Sequence, residues 1–132
     1  MKSLGNNKLT KSFAEDCAAM RDVLNRVGDK WSVLLIVNLG DGARRFSELK
    51  RSTDGISQRM LTLTLRGLER DGMVARTVTA TTMPARVDYE LTRLGRTLLE
   101  PVTALALWAH EHSGDVQRAR GAFDRAAARG RG

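Results

Sequence analysis

Basic and polar side chains recur between Ser57 and Arg70 at a spacing suited to recognition of double-stranded nucleic acid. In a helix at about 100° per residue, Leu61, Leu65 and Leu68 share one face, with Thr64 beside them. The opposite face carries Arg59, Thr62, Leu63, Arg66 and Arg70, with Gln58 at its edge. Arginine binds phosphate or guanine, glutamine pairs with adenine, and threonine contacts the thymine methyl group. The pattern predicts a DNA-reading helix.

The beginning of this helix is expected to lie nearest the base edges. Ser57 can cap the helix, and the first residues of a recognition helix enter the major groove. We therefore expect Ser57, Gln58 and Arg59 to penetrate the groove most deeply. The alternative is an ordinary solvated helix surface. Three arginines on the outer face, with Glu69 nearer the side, favour DNA.

The segments around this helix predict a winged helix-turn-helix. A short helix at Phe46–Arg51 and a turn at Thr53–Gly55 precede it. Alternating residues then predict two strands, at Met73–Val78 and Val87–Leu91. The link between the strands is longer than a tight hairpin turn and should project as a wing. The predicted fold class is therefore α+β, mostly α, with a winged helix-turn-helix at its centre.

Arg86 lies near the base of the predicted wing. An arginine inserted in the minor groove meets concentrated negative potential. The alternative is an exposed loop arginine without a partner, and the sequence leaves both interpretations open.

The remaining chain adds helices at both ends of a single domain, residues 1–132. An N-terminal helix is expected over residues 12–27, with Ser12 as its cap. A DNA-binding core is expected over residues 30–91, and its apolar first helix opens at Lys30 and ends at Gly40. Residues 92–132 should form a dimerisation helix, capped by Thr92 and running towards His112, then a tail. The tail is expected to be a short helix with a disordered end.

An apolar stripe predicts that the last helix has a partner. It comprises Leu94, Leu98, Val102, Leu105, Trp108 and Ala109, and Pro101 should bend the helix. Such a stripe outside a complete core is most simply covered by a second subunit. The alternative is that the helix folds back on its own domain. The predicted dimer interface comprises Phe13, Met20, Leu98, Val102, Leu105 and Trp108.

Charge and composition indicate a polyanionic partner and argue against catalysis. The net charge is +7 and the isoelectric point is about 10.5, which suits nucleic acid or an anionic membrane surface. No apolar run is long enough to span a bilayer and no signal peptide is visible. A cytoplasmic, nucleoid-associated protein without an internal disulfide is expected, since there is one Cys. His110, His112 and Cys17 lack metal-ligand or nucleophile patterns, so no metal, cofactor or enzyme activity is predicted.

Several separated motifs resemble the HxlR-type bacterial transcriptional regulators. They are VLNRVGDKWSVLLI, RRFSEL, GISQRMLTLTLRGLERDG, PARVDYELTRLGR and EPVTALALWA, which together cover roughly Cys17 to His112. The resemblance implies a MarR-like homodimer that binds a pseudo-palindromic operator, most often as a repressor. By the same resemblance, the DNA contacts are Arg45, Ser57, Gln58, Arg59, Thr62, Arg66 and Arg86. Trp31 is expected to pack in the core. The wing departs from the family, which often has Pro-Pro-Arg where this chain has Pro84-Ala85-Arg86.

The resemblance also raises a regulatory role for Cys17. Many members carry a redox-reactive cysteine shortly before the GDKW motif, although the register here is one residue longer than the common Cys-Pro form. The alternative is a small buried apolar residue. An electrophile or small-molecule effector is therefore one expectation. A second candidate function is a winged-helix module that docks proteins or binds RNA without operator specificity, although the polar outer face of the 57–71 helix favours DNA.

Overall fold

The structure, a computed structural model, describes residues 17–131. The elements follow in the order α1 (Cys17–Val27), α2 (Lys30–Asn38), a 3-10 turn (Leu39–Asp41), β1 (Arg44–Arg45), α3 (Phe46–Ser52), α4 (Gln58–Arg70), β2 (Val74–Thr79), β3 (Arg86–Leu91) and α5 (Arg93–Arg131). The predicted cap at Ser12 and the predicted interface residue Phe13 lie outside the described residues. None of the described helices is long and apolar enough to cross a membrane.

The apolar helix α2 lies at the centre of the core. Asp29 caps it, because its Oδ2 accepts a hydrogen bond from the Ser32 N–H at 3.2 Å. Leu35 and Ile36 are fully buried, whereas Leu34 is exposed. The prediction of a buried helix is therefore confirmed for most of its circumference. Trp31, as expected, is partly buried against the same core, with the Lys30 Nζ 4.7 Å from its ring centre.

The helix-turn-helix consists of α3, a turn, and α4, as predicted. Gly55 has a φ of 84°, a backbone conformation that side chains disfavour, and it lets the chain reverse. Thr53 anchors the turn from inside, since its hydroxyl accepts from the Asn38 amide at 2.8 Å. Ile56 is buried beside it. The turn is thus held to the end of α2, which sets the angle at which α4 leaves.

Three antiparallel strands form the sheet in the order β1-β3-β2. In the β2–β3 hairpin, Val74 is in register with Leu91 and Thr79 with Arg86. The buried ends of both strands, Val74 and Leu91, lie next to the core, while Thr77, Val78 and Arg86 towards the far ends are exposed. The hairpin therefore projects from the domain as the predicted wing, with residues 80–85 at its tip.

Helix α5 differs from its prediction in length and in packing. Thr92 caps it as predicted, because its hydroxyl oxygen accepts from the Gly95 N–H at 3.0 Å. The helix then continues unbroken through Pro101 to Arg131, so an end near His112 followed by a short helix and a disordered tail is wrong. Alanine and arginine, both strong helix formers, dominate the added length.

The packing of α5 corrects part of the interface prediction. Val102 is only 4% exposed, and Leu98 packs against the same core. The winged core is incomplete without the start of α5, which covers α2. Val102 therefore has no surface to offer a second subunit. For this first part of the helix, the alternative of folding back on its own domain is the one observed.

Candidate nucleic-acid interface

The inner face of α4 is fixed to the core by the residues predicted for it. Leu61 and Leu68 are fully buried, Leu65 is 1% exposed and Thr64 is 5% exposed. The Thr64 hydroxyl donates to the Met60 carbonyl at 2.7 Å, which satisfies its polar atom within the helix. This anchoring determines which side of α4 faces solvent.

The first turn of α4 is capped and open to solvent. The Met60 N–H donates to Ser57 Oγ at 3.0 Å, as predicted for an N-cap. Ser57, Gln58 and Arg59 are all exposed. The Ser57 oxygen is engaged by the helix, so its hydroxyl proton remains for an acceptor outside. The free N–H groups of a helix start also favour a nearby phosphate.

The outer face of α4 presents exposed cationic side chains. Arg59, Arg66 and Arg70 are exposed, and none of them forms an ion pair with another residue of the described 17–131 range. Thr62 is half-buried, and its hydroxyl donates to the Gln58 carbonyl at 3.0 Å. Because that proton is used inside the helix, Thr62 is better suited to an apolar contact than to donating.

A groove of about 670 Å³ separates α4 from the sheet. It is lined by Thr62, Leu65, Arg66, Glu69, Arg70, Arg76 and Tyr89. Arg76, on β2, was not predicted to join this surface. Its position two residues after the buried Val74 places it on the same sheet face, so strand alternation was the signal that could have found it. With Arg66 and Arg70 it makes the groove predominantly cationic.

Arg86 begins β3 next to the wing tip, opposite Thr79, and is paired. Its Nε lies 3.0 Å from Asp88 Oδ2 and 3.2 Å from Oδ1. The interpretation of Arg86 as an arginine without a partner is therefore wrong. Strand alternation places Arg86 and Asp88 on the sheet face opposite Tyr89, away from the α4 groove.

Arg45 lies in the same region of the sheet as Arg86. It is exposed at the start of α3, where its backbone N–H donates to Glu48 Oε1 at 2.8 Å. In the β1–β3 pair its Cα is in register with Asp88. Two arginines far apart in sequence thus lie in one region of the sheet, and the predicted DNA contacts divide into an α4 group and this sheet group.

The wing tip is braced from within. The Thr82 hydroxyl lies 3.2 Å from the Thr79 carbonyl and 3.0 Å from the Pro84 carbonyl. Because it links both sides of the loop, it restrains a tip in which Ala85 replaces the second proline common in the family.

Helix α1 is joined to the far end of α4. Arg26 Nε lies 2.8 Å from Oδ2 of Asp71, the C-cap residue of α4. The guanidinium passes directly over Gly67, where a side chain would overlap it.

The candidate redox residue Cys17 lies at the start of α1. Arg21 Nη2 donates to Cys17 Sγ at 2.9 Å, and Cys17 and Met20 are half-buried. Two residues of the predicted dimer interface, Leu105 and Trp108 of α5, are 52% and 53% exposed.

The fold, the capped α4 and the projecting hairpin define a winged helix-turn-helix protein. Residues 26–117 match the model of the HxlR-like helix-turn-helix family, and the chain belongs to this family. It is 44% identical over 96 residues to the HTH-type transcriptional regulator YtfH of Escherichia coli strain K12, across 73% of this chain and 75% of that protein. The protein is thus a transcriptional regulator with a helix-turn-helix DNA-binding domain.

Solved structures agree with this family. The putative transcriptional regulator ytfH from Salmonella typhimurium is similar with a TM-score of 0.71 and 39% identity, over 77% of this chain and 90% of that one. The redox regulator HypR in its oxidized form is similar with a TM-score of 0.65 and 41% identity, over 70% of this chain and 95% of that one.

Proposed function

We propose that the protein is a repressor that binds a pseudo-palindromic operator as a homodimer. One observation carries the proposal: the outer face of α4 presents Arg59 and Arg66 to solvent without an ion pair among the described residues. Arginine side chains left unneutralised on a rigid helix suit bidentate hydrogen bonds to guanine. The buried leucines of the inner face hold that helix in one orientation, so the contacts are preorganised.

The remaining contacts divide by location. Ser57, Gln58, Arg59, Thr62 and Arg66 of α4 read base edges in the major groove. Arg45 and Arg86, clustered around Asp88, bind the phosphate backbone or the flanking minor groove. Arg76 adds a positive charge from the sheet side of the protein groove beside α4 and binds phosphate. This division predicts that only α4 substitutions alter sequence preference.

A homodimer would place two recognition helices on one operator. Leu105 and Trp108 are about half exposed, side by side with the buried part of α5, and a second subunit would cover them. A two-fold dimer places its recognition helices about 34 Å apart, one turn of DNA. The operator is then an inverted repeat with half-sites at that spacing.

Redox control through Cys17 is a further part of the proposal. The thiol is half-buried, with Arg21 as a hydrogen-bond donor to its sulfur. The similarity to a redox regulator in its oxidized form supports an oxidant or electrophile as the signal. From α1, Arg26 reaches Asp71, which offers a path from Cys17 to α4.

Selection of bound fragments from the host genome tests the function. We expect recovery of an inverted repeat, and a reporter under that operator should fall when the protein is expressed. Arg59→Ala and Arg66→Ala should each cost about 1–3 kcal/mol on the operator and less on random duplex. Arg96→Ala, which removes an exposed arginine at the start of α5, is the matched control. Equal losses of affinity on the operator and on random duplex would exclude a base-reading role for Arg59 and Arg66. If RNA competes with the operator as well as duplex DNA does, the alternative RNA-binding or docking module is favoured.

A further inference from the structure

Helix α5 continues past the core as an extension, residues 103–131, whose last part also lies beyond the family domain. The helix contains 39 residues, which corresponds to roughly 58 Å at 1.5 Å per residue. None of its residues after Val102 is buried, and the family match ends at residue 117. Most helical stability in proteins comes from packing of an amphipathic face, so an exposed helical stretch of this length is expected to have a partner.

One side of the extension carries an apolar repeat. Small and apolar residues, with one histidine, follow one another at alternating steps of four and three: Leu105, Ala109, His112, Val116, Ala119, Phe123 and Ala126. We call this set the α5 seam. Such spacing keeps residues on one face over three heptads and is typical of coiled coils. Phe123 is 74% exposed on the seam, a large apolar ring with no cover from the described chain.

The side away from the seam is basic. At about 100° per residue, Arg118, Arg125 and Arg129 fall within roughly 40° of one another and well away from Phe123. All three are exposed. The helix is therefore amphipathic along its free length, with one face suited to water and the other to a partner helix.

We propose that the α5 seam pairs with the same seam of a second copy of this chain as a coiled coil. The inference rests on the proposed homodimer and extends its interface past the family domain. The seam begins at Leu105 and is continuous with the exposed Trp108 of that interface, which favours a second copy over any other partner.

Charged residues beside the seam are complementary when two copies of this chain pair along it. In the heptad that the seam defines, Asp115 and Arg120 take the two flanking positions that face one another between parallel helices. Asp115 of one chain then lies opposite Arg120 of the partner subunit, twice by symmetry. Within its own chain Asp115 also pairs with Arg118, so its charge has a partner both in the single chain and in the coiled-coil dimer.

The one polar residue of the seam is adapted to burial. The His112 ring stacks on Trp108 with 4.6 Å between centres. Its Nδ1–H donates to the Trp108 carbonyl at 2.9 Å. Because one ring nitrogen already has a partner within the helix, covering this face leaves a single nitrogen to be satisfied, which limits the cost of burial.

Sedimentation equilibrium of full-length variants tests the pairing. Val116→Glu and Phe123→Glu place a charge on the seam and should each raise the dimer dissociation constant about tenfold or more. Gln117→Glu and Ala128→Glu add the same charge at exposed positions away from the seam and should change it less than about twofold. Circular dichroism should show that all four keep the folded domain, since none of these positions is buried.

The outcomes separate the coiled coil from the homodimer itself. If seam and control variants dimerise equally and all bind the inverted repeat, the coiled coil is overturned while the proposed function survives. If the wild-type protein sediments as a monomer and binds the operator as one, the homodimer is overturned and the coiled coil with it.

Discussion

Arg26 Nε in α1 lies 2.8 Å from Asp71 Oδ2 at the end of α4. The guanidinium reaches that carboxylate by crossing Gly67, the one position on the buried side of α4 where the absence of a side chain leaves room for it. Both side chains are about one third exposed, so the pair is worth little as an isolated charge interaction. The pair instead matters for helix placement, because the Arg26 side chain connects α1 to α4.

A mutant cycle at Gly67 and Arg26 tests this contact. Alanine stabilises a helix interior by about 1 kcal/mol relative to glycine. In the Arg26→Ala background the space over Gly67 is empty, so Gly67→Ala should raise the free energy of unfolding by that amount, as measured in urea. In the wild type the new methyl group displaces the guanidinium, so the gain should be smaller or reversed. An identical effect in both backgrounds would mean that Arg26 does not occupy this position in solution.

Arg45→Ala should weaken binding to every duplex by a similar factor. The side chain is exposed, while the contact that starts α3 uses the Arg45 backbone N–H to Glu48, so the fold should be unaffected. The slope of log K against log salt should become shallower by about 0.9 for each phosphate that the variant no longer neutralises. Fluorescence anisotropy over a salt series measures this slope. A weakening confined to the operator would instead place Arg45 among the base-reading residues.

Asp88→Asn should strengthen DNA binding. Asp88 holds the Arg86 guanidinium at 3.0 Å and is in register with Arg45, so its charge opposes both arginines. An exposed pair of this kind contributes about 0.2–1 kcal/mol, and its removal should raise affinity at low salt by that order. Glu90→Gln, on the same face of β3, removes an equal charge without an ion pair in the described chain. If Asp88→Asn weakens binding, Asp88 serves to orient Arg86 rather than to mask it.

Substitutions along α5 should separate stability from dimerisation. Val102→Ala opens a hole in the core and should cost about 2 kcal/mol of unfolding free energy. Leu105→Glu or Trp108→Glu changes an exposed site in the single chain and should produce folded monomers with reduced operator affinity. Thermal unfolding and sedimentation distinguish these effects. Intact dimers in both glutamate variants would move the interface away from this part of α5.

Oxidation should weaken operator binding only when Cys17 is present. The half-buried sulfur with its Arg21 donor is the thiol to be modified. A diamide titration of operator binding by wild type and Cys17→Ser, followed by anisotropy, measures the response, and a reductant should reverse it. If both proteins respond alike, or neither does, Cys17 is a packing residue of α1.

The sequence by itself determined the elements that depend on neighbouring residues. The leucine spacing of α4, the caps at Ser57 and Thr92 and the turn at Thr53–Gly55 all follow from local periodicity and turn chemistry, and the structure confirms them. The basic outer face of α4 follows from the same period, because the side opposite a buried stripe must face solvent.

Only the tertiary structure decided which faces meet. Val102 and Leu105 belong to one apolar stripe, yet the path of the chain buries the first and exposes the second. Arg45 lies opposite Asp88, the ion-pair partner of Arg86, because β1 pairs with β3. Gly67 is matched to Arg26 across two helices. Periodicity states that a residue lies on a face, but a contact between distant segments depends on how the whole chain packs, which no local pattern contains.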